Sequence, residues 1–191
     1  MGKGRLEAFS DGVLAIIITI MVLELKVPHG DDLAALRPLI PVFFSYVLSF
    51  VFVAIYWNNH HHLVQAIRNV NGRILWANLH LLFWLSLIPF ATAWMGENHF
   101  AALPVALYGT VLLLAAIAYF ILTRTLISHH GKESTLAIAV GTDLKGKISV
   151  VFYAVAIPLA LINSWLACGF YVLVAILWLI PDRRIEKTLT Q

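Results

Sequence analysis

Charge is scarce in this chain. Only 12% of its 191 residues are Asp, Glu, Lys or Arg, while 61% are hydrophobic. Soluble domains carry roughly 25% charged residues. With a mean hydropathy of +0.86, a soluble protein of this size could not hide its apolar surface, so the solvent must be lipid. Cysteine is nearly missing too: Cys168 stands alone, which excludes an internal disulfide and a Cys-based metal cluster. The chain has no GxSxG, P-loop, Gly-rich dinucleotide fingerprint or HExxH. No enzyme activity and no cofactor are therefore expected. The net charge of +3 does not point to nucleic acid, because the basic residues lie in loops between apolar runs. No internal repeat and no low-complexity tail is present, and nothing near the N-terminus resembles a cleavable signal peptide.

What is present is a series of long apolar runs. They predict an all-α integral membrane protein with six transmembrane helices in one domain, residues 1–191. The spans are expected at about 5–27, 39–65, 74–95, 101–126, 147–163 and 166–181. The last two come from a single uncharged stretch, Ile148 to Pro181, of 34 residues. One straight helix of that length would be about 51 Å long, so two short spans turning near Asn163–Ser164 fit better. Charge placement agrees with six. With the N-terminus inside, the inner segments hold Lys3, Arg5, Arg68, Arg73, Arg124, Lys132, Lys145, Lys147, Arg183, Arg184 and Lys187. The outer segments hold only Lys26 and Arg37, a strong positive-inside bias.

The first span contains an acid. Its charge-free run, Gly12 to Leu23, covers twelve residues, or about 18 Å of helix, short of a bilayer core of about 30 Å. Asp11 or Glu24 must then be accommodated at depth, where carboxylates face protein or water rather than lipid. Counting along the helices puts Asp11, His60 and Asn78 at one level near the inner face, with Trp57 one turn deeper. An unpaired polar group in hydrocarbon costs several kcal/mol, so a hydrogen-bond network among Arg5, Ser10, Asp11, His60 and Asn78 is expected, with Trp57 as a further donor. The plainer alternatives are that Arg5 snorkels to the headgroups, that Ser10 or Asp11 caps a helix, and that Asn78 is packing glue. Consecutive helical residues point about 100° apart, so His60, His61 and His62 do not chelate one ion and no metal site is expected. His61 and His62 read as interfacial, and His129–His130 as part of a polar loop.

Two stripes run along the first helix. Ala8, Gly12, Ala15 and Thr19 form a small-residue stripe suited to close helix approach. Ile16, Ile20 and Leu23 form a second, which periodicity alone reads as a packing or lipid face.

Arg5-xxx-Phe9-Ser10-Asp11 at the inner start of the first span resembles the RxxxFSD signature of the transmembrane-protein-175 family of potassium channels. Trp57-xx-His60, and Asn78-Leu79 followed by Pro89, resemble its other polar landmarks. The resemblance is clearest over residues 5 to 95. It implies a bacterial-type homotetramer in the cell membrane with four first helices around a central pore, and the charge bias puts both termini on the cytoplasmic side. Membrane lipid and the permeant potassium ion would be its other partners. It further implies a hydrophobic constriction at Ile16, Ile20 and Leu23, a threonine layer at Thr19 linked to potassium preference, and a structural network of Arg5, Phe9, Ser10, Asp11, Trp57, His60 and Asn78. The TVGYG filter of ordinary potassium channels is absent, so selectivity would have another origin. Two rivals stay open: a proton-coupled or cation secondary transporter, since Asp11 and His60 are titratable, and a non-conducting membrane scaffold.

Overall fold

The computed structural model describes residues 2–67, 69–131, 133–141 and 143–179. Arg68, Lys132, Arg183, Arg184 and Lys187, which contribute to the inside charge count, lie outside the described residues, as does the expected end of the sixth span. Every regular element described is helical: α1 (Lys3–Leu23), a 3-10 helix (Leu33–Leu39), α2 (Ile40–Gln65), α3 (Gly72–Ser86), α4 (Ile88–Glu97), α5 (Ala102–His130), α6 (Thr135–Val140), α7 (Leu144–Ala160) and α8 (Ser164–Leu179).

Among the described residues, four stretches are long and apolar enough to cross a membrane: Lys3–Leu23, Leu33–Gln65, Gly72–Glu97 and Ala102–His130. The third of these breaks at Leu87, which ends α3 and begins α4. Pro89 explains the break, since it has no N–H to donate to residue 85 and its ring clashes with that carbonyl. α7 and α8 have 17 and 16 residues, about 25 Å each at 1.5 Å per residue, and meet at residues 161–163. There Asn163 Oδ1 accepts from the N–H groups of Trp165 (3.1 Å) and Leu166 (3.2 Å), capping α8 at its open end.

Several connections are more ordered than their polarity suggests. Asp32 accepts from Ala35 N–H at 3.0 Å and starts the 3-10 helix. Asn71 accepts from Ile74 N–H at 3.0 Å and caps α3. His129–His130 is not in a loop, as the sequence suggested, but forms the last turn of α5. Hydropathy falls after Leu126, yet nothing stops the backbone until Gly131, whose φ of 92° is a conformation only glycine adopts freely.

The helices form one bundle with an uneven interior. α5 is central, packed on α3, α4, α7 and α8, whereas α1 packs on α2, α3 and α4. Tyr108 and Tyr171 are fully buried between α5 and α8, their rings edge-to-face at 5.7 Å. Their hydroxyls are satisfied: Tyr171 donates to Val105 carbonyl at 3.1 Å, and Ser49 donates to Tyr108 at 3.0 Å. Gly109 makes the α5–α8 contact close, since any Cβ there would meet the Tyr171 hydroxyl.

Candidate functional site

The N-terminal half of α1 is tied to α2 and α3 by buried polar groups. Ser10 is fully buried and donates to Leu6 carbonyl at 2.8 Å. Its oxygen is then free to accept, and Asn78 Nδ2 donates to it at 3.0 Å. That fixes the Asn78 amide, so Oδ1 faces His60 Nε2 at 2.7 Å. An amide oxygen only accepts, so Nε2 carries the proton. The chain Leu6–Ser10–Asn78–His60 thus has one consistent set of donors across three helices, and its side chains are almost wholly excluded from solvent.

A second set of contacts runs beside it along the α1–α2 seam. Lys3, Glu7 and Asp11 are spaced four apart, on one face of α1. Gln65, His61 and Trp57 are spaced four apart on antiparallel α2. They meet as a ladder. Lys3 Nζ donates to Gln65 carbonyl at 2.9 Å, Glu7 Oε1 lies 3.3 Å from His61 Nδ1, and Trp57 Nε1 donates to Asp11 Oδ1 at 3.0 Å. His61 also stacks on Trp57, with centroids 5.9 Å apart and planes at 21°. Glu7 and Gln65 were not singled out by the sequence reading, and His61 was read only as interfacial. The matching four-residue spacings were visible, but the register between two helices is not contained in either one.

Of the residues expected in the network, Ser10, Asp11, Trp57, His60 and Asn78 are thus brought into two adjoining hydrogen-bonded groups. Arg5 and Phe9 are not: both are exposed, and no side-chain hydrogen bond joins Arg5 to another described residue. His62, read as interfacial, has its Nδ1 buried and without a partner among the described residues. At the same end, His129 and His130 hold the α2–α3 loop. Asn71 Nδ2 lies 3.1 Å from His129 Nδ1, and Asn69 N–H points to His130 Nε2 at 3.5 Å.

The other side of α1 is bare. Leu6, Leu14, Ile17 and Met21 are its buried apolar face, while Ile16 is 58%, Ile20 42% and Leu23 79% exposed. Ala8, Gly12, Ala15 and Thr19 are exposed as well, and nothing lies within 4 Å of a Cβ built on Gly12. Thr19 Oγ1 donates to Ile16 carbonyl at 2.9 Å, so its hydroxyl needs no other acceptor. Glu24 is the C-cap of α1 and is exposed; the neighbouring Lys26 pairs with Glu97 at 2.8 Å. Among the described residues no three His, Cys, Asp or Glu side chains converge as metal ligands.

Apolar helices of membrane length, a polar tie at one end and an uncovered first helix define a multi-span integral membrane protein. A family model described as endosomal/lysosomal potassium channel TMEM175 matches residues 5–89. A potassium channel from Chryseobacterium sp. (strain P1-3) is 59% identical over the full length of both chains. One from Chamaesiphon minutus is 29% identical over 91% of each. The chain belongs to the TMEM175 family. The mouse endosomal/lysosomal proton channel TMEM175 is 28% identical, with 74% of this chain matching 32% of that protein. Among solved structures, the lysosomal potassium-selective channel TMEM175 homologue from Chamaesiphon minutus superposes with a TM-score of 0.81 at 29% identity. It covers 94% of this chain and 97% of its own.

Proposed function

We propose that this protein is a potassium-selective channel, a six-span homotetramer of the cell membrane with cytoplasmic termini, in which four copies of α1 surround the pore. The observation that carries the pore assignment is the bare face of α1. Ile16, Ile20 and Leu23 lie on the side turned away from the chain's own α2, α3 and α4, and Gly12 and Ala15 leave room there for another helix. The relatives named as potassium channels supply the ion.

On this reading Ile16, Ile20 and Leu23 form the hydrophobic constriction. A ring of such side chains gates by dewetting: when narrow it excludes water, and an ion cannot shed its hydration shell there without compensation. A small outward shift of α1 admits water and a potassium ion. Potassium dehydrates at lower cost than sodium, so a narrow apolar neck with Thr19 beside it favours potassium without a carbonyl cage. Arg5 and Phe9, exposed in the single subunit, are placed to meet a neighbouring subunit, while the Ser10–Asn78–His60 chain and the Asp11–Trp57 bond hold α1 in register.

The test is potassium flux from liposomes containing the purified protein, followed by single-channel recording. Discrete current steps are expected, which a carrier does not give and a scaffold lacks. Ile16→Asn should raise conductance and weaken ion preference. Unchanged conductance and preference would remove Ile16 from the constriction.

A further inference from the structure

α2 packs closely on α1, α4 and α8 but stands off from α5 and α7, and a cavity of about 420 Å³ fills the gap. It lies on the far side of α2 from the α1 seam, since Phe52, Ile55, Tyr56 and Asn59 share a helix face roughly opposite Trp57 and His61. Ala116, Ile117 and Phe120 of α5 and Val150 and Val151 of α7 continue the apolar wall, and Trp178 of α8 closes it. Phe120, Lys147 and Val151 form its exposed rim. A space of this size between the helices of a bundle suits a small amphiphile.

Two polar groups inside it are left over. Trp178 Nε1 donates to Ser149 at 2.8 Å, Ser149 to Lys145 carbonyl at 2.8 Å, and Tyr119 to Asn59 carbonyl at 3.4 Å. The hydroxyls of Tyr56 and Tyr153 bond to no described residue, although Tyr153 is only 2% exposed. Neither oxygen is sealed behind side chains, so both open on the cavity they line. α2 and α7 run antiparallel here, with Asn59 and Asp143 at one end of the cavity and Phe52 against Tyr153 at the other, their ring centroids 6.4 Å apart. A helical side chain leans toward its own N-terminus, so Tyr56 and Tyr153 lean toward each other across the space. A buried O–H without an acceptor is costly, and an occupant that brings acceptor oxygens removes that cost twice.

We propose that this cavity holds one phosphatidylethanolamine molecule from the leaflet at the α7 N-terminal end. Its mouth carries one charge of each sign. Lys147 is exposed, and its ammonium bonds to no described residue. Asp143, one turn before it, accepts from Gly146 N–H at 3.2 Å, and a carboxylate has about four acceptor positions in all. Phosphate on Lys147 and ammonium on Asp143 match that pair, which a purely anionic headgroup does not. Below the phosphate, the ester carbonyl oxygens accept from Tyr56 and Tyr153, and one acyl chain fills the apolar remainder. The lipid thus offers headgroup, acceptors and chain in the order in which the mouth, the hydroxyls and the apolar wall meet it. The site lies away from the bare face of α1 and needs only the membrane-spanning bundle, not the pore.

The experiment is native mass spectrometry of the purified, delipidated protein titrated with three lipids: phosphatidylethanolamine, phosphatidylglycerol, and an ether-linked ethanolamine lipid that lacks ester carbonyls. One phosphatidylethanolamine per subunit is expected. It should bind about two- to five-fold tighter than phosphatidylglycerol and about two- to ten-fold tighter than the ether analogue. Tyr56→Phe and Tyr153→Phe should each reduce the preference for the ester lipid. Asp143→Asn, which keeps a helix cap, should erase the preference for ethanolamine, and Lys147→Gln should weaken both headgroups alike. Ala116→Trp should fill the space and abolish binding; if that variant fails to melt cooperatively, the tyrosine variants and the ether lipid decide, since neither alters the packing. Equal affinity for ester and ether lipids, or an ester preference that survives in the Tyr56→Phe/Tyr153→Phe double variant, would overturn the site, because water would then serve the hydroxyls. An unchanged bound lipid in a folded Ala116→Trp protein would overturn it as well, by placing that lipid outside the cavity.

Discussion

The first and the fifth helix are buried to different extents. Over the apolar membrane-length part of each helix, 50% of α5 is buried but only 28% of α1. α5 is enclosed by α3, α4, α7 and α8, and its contacts reach the limit of close packing where Tyr171 lies over Gly109. α1 is fixed along one side by hydrogen bonds and presents isoleucine, leucine, glycine and alanine on the other. Lipid satisfies an apolar helix face as well as protein does, so burial alone does not say what covers α1. What differs is that α5 is finished within one chain, whereas the small residues of α1 leave space for something more. One region is a frame, and the other is mounted on it.

This contrast breaks first at the frame. Gly109→Leu should be the most damaging change, because the new side chain collides with a tyrosine ring whose Cζ is 2.7 Å from the Cβ position and displaces the Tyr171–Val105 bond. Overpacking of this kind costs about 1–3 kcal/mol or more, and loss of a monodisperse, cooperatively melting protein in detergent is expected. Asn78→Ala comes next. It leaves the His60 Nε2–H without its acceptor in a dry site, a penalty of about 1–3 kcal/mol, and it should lower the melting temperature whether or not the subunits are assembled. Gly12→Leu sharpens the comparison from the other side. Nothing packed on α1 lies within 4 Å of the new Cβ, and the position is exposed, so subunit folding should be almost unchanged. If another α1 approaches there, size-exclusion with light scattering should show assembly lost. An intact tetramer would put the subunit contact elsewhere.

The sequence already pointed to a helical membrane protein and to its family, because both depend on local signals: long uncharged runs, the scarcity of charge, and Arg5, Phe9, Ser10 and Asp11 in one short motif. Depth counting brought Asp11, His60 and Asn78 to one level without saying which would touch. The bonds depend on rotation of each helix about its axis, and that rotation left Arg5 and Phe9 outside while turning Glu7 toward His61. Hydropathy also misjudged the end of α5. It reports where the membrane ends, and the backbone obeys Gly131 instead. The third span was expected to run unbroken over 74–95; Pro89, which has no N–H to donate to residue 85, divides it at Leu87 into α3 and α4.

The smallest effect is expected at the opposite end of the bundle. Lys26 and Glu97 make the shortest ion pair described, at 2.8 Å, and it ties the segment after α1 to the end of α4. Length is not strength here, because the Lys26 side chain is 74% exposed and water screens the pair and competes for both partners. The hydrogen bond to Glu97, aided by its charge, raises the lysine above its usual value of 10.5. A lysine raised on folding stabilises below its unfolded value and loses that contribution as pH climbs through the raised one, so the lysine's part in the pair weakens only in strong alkali. Lys26→Gln should therefore leave the melting temperature and its pH dependence unchanged within error over pH 5–9. A clear drop in stability at neutral pH would mean that assembly buries this pair, and that the bare region of the subunit extends from α1 to the ends of the bundle.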